Sequence, residues 1–172
     1  YAALENEFIR MRVDLWKGCI ASLIDKRTGE ELIDPDMPYG NMLVMDEDNG
    51  DFWEIDSPLR AGANRPIDRI RPLDVGDALG LSIQRGGSFG VGEGDVLTQF
   101  TFSQKIADYD FVSHVRLYAG LPRVEVESHL TNRRKNVRYR IAMPANIRGG
   151  TITQEIPFGS LERPQGEYPA IG

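Results

Sequence analysis

Apolar and polar residues alternate with a period of two along most of this chain. Ile9, Met11, Val13 and Leu15 alternate with Phe8, Arg10, Arg12 and Asp14, the spacing of a strand with one buried face. Lys17-Gly18 marks a turn. Ile20 and Ile24 are expected to share one face of the next strand. Lys26-Arg27-Thr28-Gly29 is a strong turn signal, and Glu30 to Ile33 reads as a short returning strand. Residues 34–41 are rich in Pro, Asp and Gly and predict a loop, followed by a brief apolar strand from Met42 to Met45.

Strand patterning returns at Leu79 to Arg85. Gly86 to Gly94 is dense in glycine and reads as a hairpin connection. Val96 to Ile106 places Phe100 and Phe102 on one face. Asp108-Tyr109-Asp110 predicts a turn before a strand from Phe111 to Ala119. After Gly120-Leu121-Pro122, Val124, Val126, Ser128 and Leu130 alternate with Arg123, Glu125, Glu127 and His129. A polar, basic loop follows. Val137, Tyr139, Ile141 and Met143 then line one face opposite Arg138 and Arg140, and Thr151 to Phe158 closes the series. Many short strands joined by turns, without an amphipathic helix, predict an all-β, antiparallel β-sandwich. No fixed-period repeat points to a propeller or solenoid.

At 172 residues the chain is expected to form a single domain, 1–172. Hydrophobic content of 41% and charged content of 27% are those of an ordinary globular protein. The net charge of -6 and the lack of a basic run with interleaved aromatics disfavour a nucleic-acid partner. No apolar stretch approaches the about 20 residues needed to span a bilayer, so no membrane partner is expected. Cys19 is the single cysteine, and no Asn-x-Ser/Thr sequon occurs. Both features point to a reducing, cytoplasmic location. Cys19 itself reads as a small buried hydrophobe in an apolar strand. The opening Tyr1-Ala2-Ala3 lacks both a methionine and a signal peptide, as expected of a fragment or processed chain.

Several stretches invite a chemical reading. Asp46-Glu47-Asp48-Asn49-Gly50-Asp51 is acidic, but counting from Asp46 puts Asp51 where an EF-hand needs glycine and Ser57 where it needs glutamate. A solvated acidic loop is the expectation. No register of Gly86 to Gly94 gives G-x-G-x-x-G, and a strand rather than a helix follows. His114 and His129 are the only histidines and fall in adjacent predicted strands with no further Cys or His nearby, so no metal site is expected here. Carboxylate pairs suited to glycoside hydrolysis cannot be chosen from so many acids, and the face of Glu125 and Glu127 reads as solvated. No catalytic residue is therefore assigned. Trp53, beside Phe52 and several acids, could stack on a sugar ring or simply anchor a long loop on the sandwich.

Three segments carry a family resemblance. The chain opens Leu4-Glu5-Asn6-Glu7-Phe8-Ile9-Arg10-Met11-Arg12-Val13 and continues Ile20-Ala21-Ser22-Leu23-Ile24-Asp25-Lys26-Arg27-Thr28-Gly29. Asn41 to Asp56 holds an acidic run and Trp53-Glu54-Ile55-Asp56. The end reads Gln154-Glu155-Ile156-Pro157-Phe158-Gly159-Ser160-Leu161-Glu162-Arg163-Pro164. Together with Val124-Glu125-Val126-Glu127 and Ile141-Ala142-Met143-Pro144, in this order, they resemble the β-sandwich region of the family-38 glycoside hydrolases, the retaining α-mannosidases.

The resemblance implies a galactose-mutarotase-like supersandwich. It is expected to be incomplete, because relatives run on past Pro169-Ala170-Ile171-Gly172 into a tryptophan-containing strand. It also implies a non-catalytic domain of a larger glycosidase, supporting or bordering its active site. The partners would be the catalytic and helical domains of the same polypeptide and a mannose-containing oligosaccharide. Zinc and an aspartate nucleophile would belong to the absent catalytic domain, so no cofactor is expected in this chain, and the chain alone is expected to be inactive. Trp53, Phe158, Glu162 and Arg163 are the candidate carbohydrate-binding residues. Two other functions share the architecture: a free-standing carbohydrate-binding module, and a mutarotase-type aldose epimerase using His114 or His129 with a glutamate.

Overall fold

A computed structural model describes residues 1–47, 79–106 and 109–163. Apart from one short 3-10 turn, the regular structure among the described residues is antiparallel strand. In chain order these are β1 (Ala2–Glu5), β2 (Ile9–Asp14), β3 (Cys19–Asp25), β4 (Glu30–Glu31), β5 (Met42–Glu47), β6 (Gly80–Leu81), β7 (Ser88–Glu93) and β8 (Leu97–Ile106). β9 (Tyr109–Tyr118), β10 (Val124–Leu130), β11 (Val137–Ala142), β12 (Ile152–Ile156) and β13 (Gly159–Arg163) complete the series. Four sheets result, ordered β1-β2-β3-β4, β10-β9-β8-β7, β11-β5-β6 and β12-β13.

The first two sheets form the sandwich. Leu4, Ile9, Met11, Val13 and Ile20 meet Phe100, Phe102, Val115 and Leu117 in one core, as alternating strands require when each keeps one face dry. Leu43 and Met45 pack with Ile106 and Phe111 in a second core. Met42 and Val44, on the opposite face of β5, pack with Ala142 in a third. β5 is thus buried on both faces, which explains why its four leading residues are all apolar. Asn6 joins the two main sheets: its Nδ2 donates to the carbonyls of Tyr118 at 2.6 Å and Leu121 at 2.9 Å.

Three local expectations are corrected, and two strands are added where none was expected. Ile20 and Ile24 do not share a face. The β2–β3 register shifts between Arg12 and Val13, so Val13 pairs with Ile20 and Met11 with Leu23, skipping Ala21. The extra residue of this bulge turns Leu23 rather than Ile24 toward the core. Leu79 to Arg85 is not one strand: only Gly80–Leu81 pairs, and Ser82–Gln84 is a 3-10 turn, where the Leu81 N–H donates to Gln84 Oε1 at 3.1 Å. Gly86 to Gly94 is not merely a connection. Its Ser88–Glu93 is edge strand β7, with Phe89 opposite Phe102 and Val91 opposite Phe100. Ala2–Glu5 is a strand that lies too near the start for its short alternation to register. Gly159 to Arg163, which carries the closing motif, is the second arm of a hairpin. The acidic run from Asp48 to Asp51 and Trp53 lies outside the described residues.

The inner face of the second sheet is wider than its cover. Directly opposed residues point the same way, so Phe89 and Val91 extend that face on β7 and Val126 extends it on β10. All three are exposed.

Candidate functional site

The β12–β13 hairpin carries three of the four candidate sugar-binding residues. Ile156 pairs with Gly159, leaving Pro157 and Phe158 as a two-residue turn. Proline cannot adopt positive φ at the first turn position, and Phe158 has φ 68° at the second. That combination is a type II turn, which calls for glycine or asparagine at the second position. A bulky side chain there is a steric outlier, and the twist of a type II turn fits a tight hairpin poorly. Phe158 is nonetheless fully exposed, with no packing to compensate.

Glu162 pairs with Thr153, and Arg163 pairs with Ile152, so the two fall on opposite faces of the hairpin. The side chain of Glu162 is exposed. Phe158 sits at the tip and Glu162 near the base, so the structure does not gather them into one pocket. Trp53 and the side chain of Arg163 lie outside the described residues.

The histidines occupy a different place, the outer face of the second sheet. His114 and His129 meet edge to face with centroids 5.7 Å apart. His114 Nδ1 lies 3.0 Å from Thr101 Oγ1. His129 Nε2 lies 2.8 Å from Glu127 Oε1. Arg116 reaches Glu127 at 2.7 Å and donates from Nε to Gln99 Oε1 at 2.7 Å. The Arg116 hydrogen bond is the chief reason the Glu127 carboxyl lies below its ordinary pKa. A guanidinium beside a carboxylate favours its ionised form.

No group of three or more His, Cys, Asp or Glu among the described residues could hold a metal ion. A zinc ion therefore has no fitting ligand set there, and no step is derived through one. Cys19 is buried, its thiol 3.7 Å from the Pro38 carbonyl. Burial, reinforced by Asp14, pushes its pKa up to about 12, which leaves it unionised and inert.

Gly86-Gly87-Ser88-Phe89-Gly90 spells the G-x-S-x-G spacing of nucleophile elbows. The structure gives it no such geometry. Ser88 opens edge strand β7 opposite Ser103, and another strand follows where an elbow needs a helix.

The fold and the motif order converge on one family. The profile of the glycosyl hydrolases family 38 C-terminal domain matches residues 4–168. The chain belongs to that family. This family-38 C-terminal domain is 27% identical over 163 residues to alpha-mannosidase 2C1 of Mus musculus, covering 94% of this chain and 14% of that protein. Two solved structures from Enterococcus faecalis share its fold. A protein in glycosyl hydrolase family 38 aligns with TM-score 0.70 and 14% identity over 94% of this chain and 20% of its own. An alpha-mannosidase from strain V583 aligns with TM-score 0.71 and 13% identity over 98% of this chain and 20% of its own. The chain thus spans about one-seventh to one-fifth of the length of these proteins. No helix among the described residues is long and apolar enough to cross a membrane.

Proposed function

We propose that this chain is the non-catalytic β-sandwich region of a retaining, zinc-dependent α-mannosidase, and that it supports or borders that enzyme's active site. The family match over residues 4–168, in a chain spanning only 14% of its mannosidase relative, carries the reading. The catalytic and helical domains of the same polypeptide are its partners, with zinc held by the catalytic domain. A mannose-containing oligosaccharide is the substrate. The sequence features of Cys19 and the missing sequons support a cytoplasmic enzyme.

The closing segment is the part assigned to the substrate. Glu162 offers hydrogen-bond acceptors and Arg163 a fork of donors, both suited to sugar hydroxyls. Trp53 and Phe158 offer aromatic faces. Replacing Arg163 or Glu162 with alanine in the complete polypeptide lowers kcat/KM on a mannoside while Tm stays nearly constant. Activity at the wild-type level, or a loss that only tracks a falling Tm, removes the segment from the site. Retention of glycans by the 172-residue chain alone, without hydrolysis by the complete polypeptide, would instead identify a carbohydrate-binding module.

A further inference from the structure

A band of buried polar side chains lies between the first core and the second. On β8, Gln104 falls between Phe102 of one core and Ile106 of the other. On β9, Ser113 falls between Phe111 and Val115 in the same way. Gln104 is 6% exposed and Ser113 1%. Ser113 pairs with Phe102 and Gln104 with Phe111. The two polar residues are therefore diagonal neighbours on the inner face, roughly 7–8 Å apart. Asn41, which is 1% exposed, joins them from the loop before β5, and its Nδ2 donates to Ser113 Oγ at 2.5 Å.

This band is short of hydrogen bonds. Asn41 Oδ1 and both polar atoms of the Gln104 amide, Nε2 and Oε1, are buried without a partner among the described residues. Buried polar groups in native proteins are nearly always paired, with protein or with ordered water. An unpaired one gives up its hydration and gains nothing in return. Ser128, opposite Ser113 on edge strand β10, is exposed. It carries the polar band from the interior to the rim of the sheet.

We propose that the band is an internal hydration site, in which one or two water molecules bridge Gln104 to Asn41 and Ser113 and enter by way of Ser128. Asn41 leads into β5, whereas Gln104 and Ser113 belong to the second sheet. The bridge therefore fastens β5 to that sheet at the boundary of the two cores.

Chemistry selects the occupant. The orphaned atoms are one donor, Gln104 Nε2, and two acceptors, Gln104 Oε1 and Asn41 Oδ1. Accepting from Asn41 leaves the Ser113 hydroxyl its own proton to donate. Water donates and accepts, and an internal water typically makes about three hydrogen bonds, which this mixed set supplies. An ion answers only one half of such a set, and none of the buried polar residues is charged. Packing keeps the occupant small. Phe102 and Phe111 are fully buried beside the band, and a Cβ added at Gly87 would stand 2.9 Å from the Gln104 Cβ.

High-resolution crystallography of the complete polypeptide tests the site directly. Ordered water is expected within about 2.7–3.2 Å of the Gln104 amide and of Asn41 Oδ1. Dry amides, or a protein group from outside this chain on the same atoms, overturn the proposal. Substitution tests it without crystals. Gln104→Met keeps the length of the side chain without its polar atoms. Asn41→Gly keeps the left-handed backbone, φ 63°, without a side chain. Amide exchange of β8 and β9 is measured in the complete polypeptide for each variant and for the pair together. With bridging water, Gln104→Met lowers protection on the order of tenfold. That loss shrinks in the Asn41→Gly background, because the two side chains share one bridge. Unchanged or raised protection in Gln104→Met reveals an amide that was never hydrated and overturns the proposal. An equal loss in both backgrounds also overturns it, because the two side chains then share nothing.

Discussion

Gly18 lies against the ring of Phe102, so closely that a Cβ at position 18 would overlap the ring. Its φ is +67°, in the turn that joins β2 to β3. Phe102 is fully buried in the main core. The turn and the core therefore constrain the same position twice, once through backbone conformation and once through space.

Gly18→Ala should consequently be severe. A left-handed conformation costs an L-residue roughly 1–2 kcal/mol, and overpacking a close-packed core adds about 1–3 kcal/mol. The two sum to about 3 kcal/mol, a fall in Tm of about 6–12 °C for a chain of this size. Gly29→Ala is the control: its φ is +77°, but a Cβ there meets nothing within 4 Å. It should lose only the conformational part. Equal losses at both positions would show that the Phe102 contact contributes nothing.

Asn6 should behave as a four-way clamp. Its Nδ2 donates to Tyr118 and Leu121, and its Oδ1 accepts from the N–H groups of Phe8 at 2.9 Å and Ile9 at 2.8 Å. Asn6→Ala removes all four hydrogen bonds and should cost about 2–3 kcal/mol. Asn6→Asp keeps the acceptor but turns a carboxylate toward two carbonyl oxygens. At neutral pH it should be at least as destabilising as alanine, and it should recover as acid protonates it. Denaturant melts of both variants across pH distinguish a clamp from a surface residue, for which neither change would matter.

Glu31 links stability to pH. Its Oε2 accepts from Ser22 Oγ at 2.5 Å, and its Oε1 accepts from Leu23 N–H at 2.7 Å and Ile33 N–H at 3.0 Å. Burial opposes ionisation, but these three bonds and Arg12 outweigh it and hold the carboxyl below its ordinary 4.5. A lowered pKa in the folded state means the stabilisation is complete above 4.5 and is lost as pH falls through the folded value. Glu31→Gln should lose about 1 kcal/mol at neutral pH. The difference from the wild type should close as the pH drops below 4.5. A constant gap across pH would place the effect in packing rather than charge.

Where one face of a strand is buried, its period survives in the sequence. The alternations at Ile9 to Val13 and at Phe100 and Phe102 both reappear in the sheets. Legibility failed where one residue changes the register. The bulge at Ala21 moves Leu23 to the core and Ile24 away from it, and no periodicity signals an inserted residue. It failed again at Ser88–Glu93, where glycines at alternate positions look like a turn but leave an edge strand with Phe89 and Val91 on one side. The motif Leu4-Glu5-Asn6-Glu7 was visible as a family mark, yet its physical work was not: Asn6 and Glu7 reach 112–115 and 113 residues along the chain to Tyr118, Leu121 and Gly120. Contacts of that separation leave no local pattern. The segment Phe158 to Arg163 stood out in the sequence, but its split into a turn and a strand of one hairpin did not.

The central claim is that this chain is a non-catalytic part of an α-mannosidase. Its most direct test is hydrolysis of a chromogenic α-mannoside, assayed side by side with the 172-residue chain and the complete polypeptide at equal molar concentration. The account predicts turnover by the complete polypeptide and none by the 172-residue chain, with or without added zinc. Turnover by the 172-residue chain alone, or none by the complete, folded and zinc-supplied polypeptide, would contradict it.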